Sequence, residues 1–245
     1  ITKNQIDNLR DILVGKIPDP KSQIEQITIA LIYKFMNDMD LESIAMGGKP
    51  SYFINEFEHY SWNNIFNPKL SGVERVDLYS NAIIKMNKNP YLPQLFRDIF
   101  KDAKLTYNDP ATLRSFLKNI NEFSYNDSEV LGESFEYLLS KLSTQGDAGQ
   151  FRTPRHIIDF IVEVVSPKKG ETILDPACGT GGFLISSYKH LINNNKNLTA
   201  EEIKEIYNNI HGYDIDPNMV RFSLVNLYLH KFTNPKVFEY DSLTQ

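Results

Sequence analysis

The sequence predicts an α/β protein in two parts: an all-α helical N-terminal domain over residues 1–145, then a parallel α/β domain over residues 146–245. Three observations carry this. Before Gly170 the apolar residues recur at three- and four-residue steps, with no alternating strand signal of any strength. The stretch "STQGDAGQFRTP", residues 143–154, is small, polar and glycine-containing and marks a boundary. After it, short apolar runs alternate with helical patterns, as in a parallel sheet wound by crossover helices.

In the first part, "SQIEQITIALIYKFMNDMD" pairs Ser22 with Glu25 as a capping box. Its apolar positions Ile24, Ile27, Leu31, Ile32, Phe35, Met36 and Met39 form one helical stripe. "SGVERVDLYSNAIIKM" repeats the box with Ser71 and Glu74, and "DPATLRSFLKNI" offers Asp109 as cap with Pro110 at the first helical position. "SEVLGESFEYLLSKLS" is a further helix, with Leu131, Phe135, Leu138, Leu139 and Leu142 on its buried side. The aromatics Tyr52, Phe53, Phe57, Tyr60, Trp62 and Phe66 could line a ligand slot, but core packing is the expected role.

In the second part, Thr153 is placed to cap a helix with Pro154 in its first turn, continued by "RHIIDFIVEVV". Strand "TILD", helix "GFLISSYKHLI", a polar break, strand "IHGYDID", helix "PNMVRFSLVNLYLHKF" and strand "KVFEYD" follow. Ligands of parallel sheets bind at the carboxyl ends of the strands. Asp175, Asp214 and Asp241 fall at those ends.

Composition bounds the possibilities. With 41% hydrophobic residues among 245, a sizeable core can be buried. No run approaches the roughly 18 apolar residues of a membrane span, and the first residues lack the apolar stretch of a secretory signal. The single cysteine, Cys178, excludes an intrachain disulfide and fits a reducing cytoplasm. Net charge is −5, with 10 basic and 11 acidic residues from Phe151 onward, leaving 16 and 20 before it. Neither part is a basic module, which argues against a free-standing duplex binder. The five histidines show no metal-ligand spacing.

The chemistry concentrates in "ETILDPACGTGGFL". A phosphate-binding P-loop would need a lysine after the glycines, and none follows. A dinucleotide fingerprint would need a third glycine where Leu184 stands, and Asp175 would repel a pyrophosphate. S-adenosyl-L-methionine fits better, because its sulfonium and ammonium suit a carboxylate at the strand end. Glycines let the backbone approach such a ligand without a clashing Cβ. Asp214, ending the next strand, can accept both ribose hydroxyls, while Asp216 caps the following helix with Pro217 behind it. Asp241 can accept from the adenine amino group. Cys178, inside the loop, is expected to be a small buried side chain and not a nucleophile.

"GQFRTP", "DPACGTGGFL" and "GYDIDP", in this order and spacing, resemble the methyltransferase (M) subunits of type I restriction-modification systems, among the gamma-type adenine-N6 DNA methyltransferases. The resemblance spans essentially the whole chain. It implies that the second part is the first section of a Rossmann-like S-adenosylmethionine-dependent methyltransferase domain. It implies cofactor contacts from Phe151, Thr153 and Pro154, with Arg152 standing where an aromatic is common. It assigns Asp175, Ala177, Cys178, Gly179, Thr180, Gly181 and Gly182 to the methionine-binding loop, Asp214 to the ribose, Ile215 to a flank of adenine and Asp241 to the adenine amine. "YDSL" here replaces a common "GDSL". The implied partners are a DNA specificity subunit, a restriction subunit, and double-stranded DNA held by the assembled complex.

That family lures the adenine amine with an Asn-Pro-Pro-aromatic tetrapeptide and stacks a flipped base on its aromatic ring. "NPKL" at Asn67, "NPYL" at Asn89 and "NPKV" at Asn234 are not that motif and read as turns. The tetrapeptide is expected beyond Gln245, so the chain alone is expected not to methylate. Two other readings remain open at this stage: a single-chain DNA adenine methyltransferase or restriction–methylation fusion, and a non-catalytic S-adenosylmethionine-binding or scaffold protein.

Overall fold

The structure is a computed structural model that describes residues 3–123, 128–142 and 152–244. The chain divides into two compact units, Ile1–Leu138 and Leu139–Gln245.

The first unit contains helices α1 (Lys3–Val14), α2 (Pro20–Ala45), α3 (Trp62–Ile65), α4 (Gly72–Met86), α5 (Gln94–Ile99) and α6 (Pro110–Ile120), with a 3₁₀ segment at Asn55–Tyr60. Helix α7 (Ser128–Ser140) runs across the division. Among the described residues no strand precedes Ile173. The Ser71–Glu74 capping box forms on α4 as expected, and Asp109 caps α6 with Pro110 behind it. Helix α2 starts one turn earlier than its Ser22–Glu25 pattern predicts. Asp19 is its cap, accepting from the backbone N–H of Ser22 at 2.8 Å and from its hydroxyl at 2.5 Å, with Pro20 in the first turn. A carboxylate that captures both groups of Ser22 leaves that side chain no capping role. A cap of this kind contributes about 1 kcal/mol.

The core of this unit gathers around Tyr33, whose ring has Phe53, Trp62, Tyr79 and Phe100 within 5.3–6.2 Å, centroid to centroid. The aromatic stretch is therefore packing: Phe53, Phe57, Tyr60 and Trp62 are buried. The Trp62 indole N–H reaches Asn121 Oδ1 at 2.8 Å, and the Tyr33 hydroxyl donates to the Tyr60 carbonyl. Buried Asp40 accepts from the backbone N–H groups of Ser51, Tyr52 and Phe53, which ties the loop after α2 to that helix. "NPKL" and "NPYL" are turns, with Asn67 Oδ1 accepting from Lys69 N and Asn89 Oδ1 from Tyr91 N.

The second unit is a three-stranded parallel sheet in the order β1 (Ile173–Asp175), β2 (Ile210–Asp214), β3 (Lys236–Glu239). Asp175 pairs in register with Gly212, and Asp214 with Glu239, so the carboxyl ends lie side by side. The helices are α8 (Arg155–Val165), α9 (Gly182–Asn194), α10 (Ala200–Asn208) and α11 (Pro217–Leu229). Helix α8 begins at Arg155 with Pro154 as its cap residue and no side-chain cap bond, so Thr153 is left free of the capping role expected of it. Helix α10 occupies part of the expected polar break; Thr199 and Glu202 form its capping box. Buried Gly212 of β2 passes directly under α9: a Cβ there would lie 2.8 Å from Leu184 Cδ1 and 3.0 Å from Cys178 Sγ. Among the described residues, no helix is long and apolar enough to cross a membrane.

Candidate functional site

Several hydrogen bonds hold the loop between β1 and α9, among them one from the Ser242 hydroxyl to Pro176 O at 2.5 Å. Cys178 N donates to Tyr213 O at 2.8 Å, extending the β1–β2 pairing past the strand end. Gly179 N donates to Asp214 Oδ2 at 2.9 Å. Gly181 N donates to Cys178 O at 2.8 Å, closing a tight turn. Asn226 Nδ2, from α11, donates to Thr180 O at 2.9 Å. Gly179 and Gly181 have φ of +54° and +79°, the left-handed region where a side chain is strained. The two glycines face different surroundings. A Cβ on Gly181 would meet Ser223 Oγ at 2.6 Å, whereas Gly179 opens onto free space.

That free space is a cleft of about 330 Å³, within the range of small-molecule sites. Its lining includes Thr153, Asp175, Ala177, Cys178, Gly179, Thr180, Gly182, Asp214 and Ile215 from among the residues singled out by sequence. Pro154, Gly181 and Asp241 do not line it, and Phe151 lies outside the described residues. Pro154 is the cap residue of α8, and Gly181 is buried at the end of the loop. Asp241 closes its own turn, its Oδ1 accepting from Leu243 N at 3.0 Å and its carbonyl from Thr244 N.

Sequence reasoning did not assign the apolar wall, to which Leu142, Ile158, Phe183 and Met219 contribute, nor the presence of Arg152 and Asp216 beside it. Leu142 lies two residues past the end of α7 instead of on its buried side. Met219 and Ile158 are buried helix residues whose sequence signal is the same as that of any core position. Asn226 also went unassigned, although its signal was present: an amide at an apolar register in "SLVNLYL".

The electrostatics follow from the geometry. Burial pushes the Asp175 carboxyl above its usual range; the Ala177 N–H opposes this and the Asp214 charge adds to it. Ala177 N reaches Asp175 Oδ1 at 3.2 Å. Burial, with the same two carboxylates, drives the Cys178 thiol up to about 12, so it is no nucleophile at neutral pH. Asp214 accepts Gly179 N on one oxygen and Asp216 N on the other, both at 2.9 Å. A carboxylate has about four lone-pair sites, so about two remain for a ligand. Two carboxylates, an uncovered glycine backbone and an apolar wall fit a cationic nucleoside such as S-adenosyl-L-methionine and suit a pyrophosphate poorly.

Comparison with known proteins shows what the chain as a whole is similar to. A model of the N-6 DNA Methylase family matches residues 126–245. The methylase subunit of the type I restriction enzyme EcoEI, from Escherichia coli, is 32% identical over 165 residues, which cover 66% of this chain and 33% of that protein. The chain thus spans about a third of the length of such curated relatives. Among solved structures, one from a study of complex assembly and conformational transition in the type I R-M system superposes with a TM-score of 0.76 at 24% identity, covering 98% of this chain and 50% of the other. A type I restriction-modification methyltransferase subunit from Streptococcus thermophilus gives 0.67 at 14% identity, covering 98% of this chain and 58% of the other. At these identities the structural likeness establishes the fold.

Proposed function

We propose, from the match of residues 126–245 to the N-6 DNA Methylase family, that the chain belongs to that family and is the cofactor-binding part of a type I modification subunit whose whole protein methylates adenine N6 in DNA. Residues 1–145 are read as its helical N-terminal domain and residues 146–245 as the start of a Rossmann-like methyltransferase domain. The observation that carries this reading is the meeting of Asp175, the Gly179–Gly182 loop and Asp214 in one cleft at the carboxyl ends of adjacent parallel strands. S-adenosyl-L-methionine, when bound, supplies a methyl group made electrophilic by its sulfonium.

The chain's own residues have separable tasks. Asp175 offers negative charge to the cationic end of the ligand, and the backbone at Gly179 leaves room for its amino-acid portion. Asp214 retains lone pairs for the ribose hydroxyls while holding Gly179 and Asp216. Ile215, exposed beside Asp214, and half-buried Phe183 offer apolar surface to the adenine. The apolar wall excludes water from the same space. Asp241, engaged in its own turn, would have to exchange its bond to Leu243 N for one to the adenine amine.

The net charge of −5 supports a borrowed grip on DNA. We assign that grip to an assembled complex with a specificity subunit, alongside a restriction subunit, in the cytoplasm where the duplex and the cofactor occur. The sequence of 245 residues contains no Asn-Pro-Pro-aromatic tetrapeptide. The primary test is calorimetric titration of S-adenosyl-L-methionine into the protein, for which saturable micromolar-class binding is expected; no binding to a folded sample refutes the cofactor reading. A companion assay with labelled methyl donor and duplex DNA is expected to show no transfer by residues 1–245 alone. Incorporation above background would overturn the assignment of the catalytic tetrapeptide to sequence outside them.

A further inference from the structure

Asn226 lies wholly buried in α11, among apolar neighbours such as Leu224, Val225 and Leu227. A buried amide is tolerated only for the hydrogen bonds it makes. Its Nδ2 makes one, to Thr180 O across 46 residues of sequence, while its Oδ1 is buried with no partner among the described residues. Leucine at this register would remove the unpaired Oδ1 but strand the Thr180 carbonyl in its place. The amide therefore contributes one thing its apolar replacement could not, a donor aimed at the loop between β1 and α9.

Its target is specific. The peptide joining Thr180 to Gly181 is fixed at both polar ends, with its N–H on Cys178 O at 2.8 Å and its carbonyl held by Asn226 at 2.9 Å. The face of Gly181 that a side chain would occupy is closed by Ser223, one turn before Asn226 on the same helix. Helix α11 is thus the mould against which this peptide is set. The nucleoside side of the cleft is set by Asp214, which meets the loop one residue earlier, at Gly179 N, and is held on its other oxygen by Asp216 N, neither of them a bond of the Thr180–Gly181 peptide.

We infer that Asn226 is a positioning residue that fixes the Thr180–Gly181 peptide for the amino-acid end of the cofactor and leaves the nucleoside end unaffected. The inference rests on the cofactor reading above, and its consequence is a selective loss of affinity. S-adenosylhomocysteine carries the amino-acid tail, and 5′-methylthioadenosine lacks it.

Both ligands are titrated calorimetrically into the wild-type chain and into Asn226→Leu and Asn226→Ala, with thermal unfolding recorded for each. Asn226→Leu removes the unpaired acceptor together with the donor but strands the buried Thr180 carbonyl, so the gain and the cost offset and its melting temperature is expected to stay close to wild type. It should bind S-adenosylhomocysteine at least tenfold more weakly while binding 5′-methylthioadenosine within twofold of wild type. Asn226→Ala should show the same selectivity at reduced stability. Equal weakening of both ligands, or unchanged binding of both, in a folded variant would overturn the positioning role. Wild-type protein that binds neither ligand would overturn the cofactor reading and this inference with it.

Discussion

Replacement of Asp214 by alanine tests the centre of the site, because the proposed function adds a ligand-binding duty to the structural one that this carboxylate already has. On the protein side it accepts from Gly179 N and Asp216 N, each at 2.9 Å. On the ligand side it lines the cleft. Hydrogen bonds to a charged group contribute roughly 1.5–3 kcal/mol each. Asp214 is half-buried, so the lower figure applies. Two ribose bonds then amount to about 3 kcal/mol, on the order of a hundredfold in affinity. Water replacing the lost side chain reduces this, and a loss of at least tenfold is expected. The two stranded N–H groups also lower stability by about 2–3 kcal/mol. Asp214→Asn keeps one acceptor, so it should recover about half of the stability and less of the affinity. Calorimetry with S-adenosyl-L-methionine reads the first effect and urea unfolding the second. Unchanged affinity in folded Asp214→Ala would refute the ribose assignment; unchanged stability would refute the loop-holding role.

Three further outcomes follow from the same geometry. The Asp175 carboxyl is raised from its ordinary 3.8, so the fold is most favoured while it is protonated and loses that contribution as pH rises through the raised value. Ligand charge has the opposite sign: affinity for S-adenosyl-L-methionine should fall as pH drops through the same region, more steeply than for uncharged-sulfur S-adenosylhomocysteine, and parallel pH profiles would sink the charge pairing. Cys178, buried with its thiol pushed up to about 12, should resist iodoacetamide at pH 8 in the folded chain and react fully in denaturant; rapid native alkylation, read by mass spectrometry, would contradict its packing. Gly212→Ala, whose new Cβ would meet Leu184 at 2.8 Å, should cost about 1–3 kcal/mol in urea unfolding, and a neutral result would mean that α9 yields over β2 at no cost.

The parts of this chain that were legible in sequence are those decided locally. Ser71 with Glu74, Asp109 with Pro110, and Asp216 with Pro217 all cap helices as their spacing implies, because a cap needs only the next three or four residues. The same locality explains the errors. Ser22 with Glu25 had the right spacing, but Asp19 and Pro20, one turn earlier, formed the stronger start. Thr199 with Glu202 was an equally good signal, passed over because "LINNNKNLTA" around it reads as a break. The glycine loop and the two strand-end acids Asp175 and Asp214 could be found because their register along neighbouring strands brings them together. What no local pattern encodes is the hold of Asn226 on Thr180, or of Asp40 on the loop at Ser51–Phe53. Asp241 shows the converse: a strand-end acid whose position suggests a ligand and whose side chain closes its own turn.

The double engagement of Asp214 bears on any redesign for bulkier cofactor analogues. Enlarging the pocket at Asp214 would loosen the glycine loop with it, since the same two oxygens anchor that loop and the start of α11. Ile215 lines the same cleft, yet its side chain is 67% exposed and has no part in those anchors. Analogue selectivity is therefore best sought at Ile215, where shape can change and the scaffold keeps its bonds.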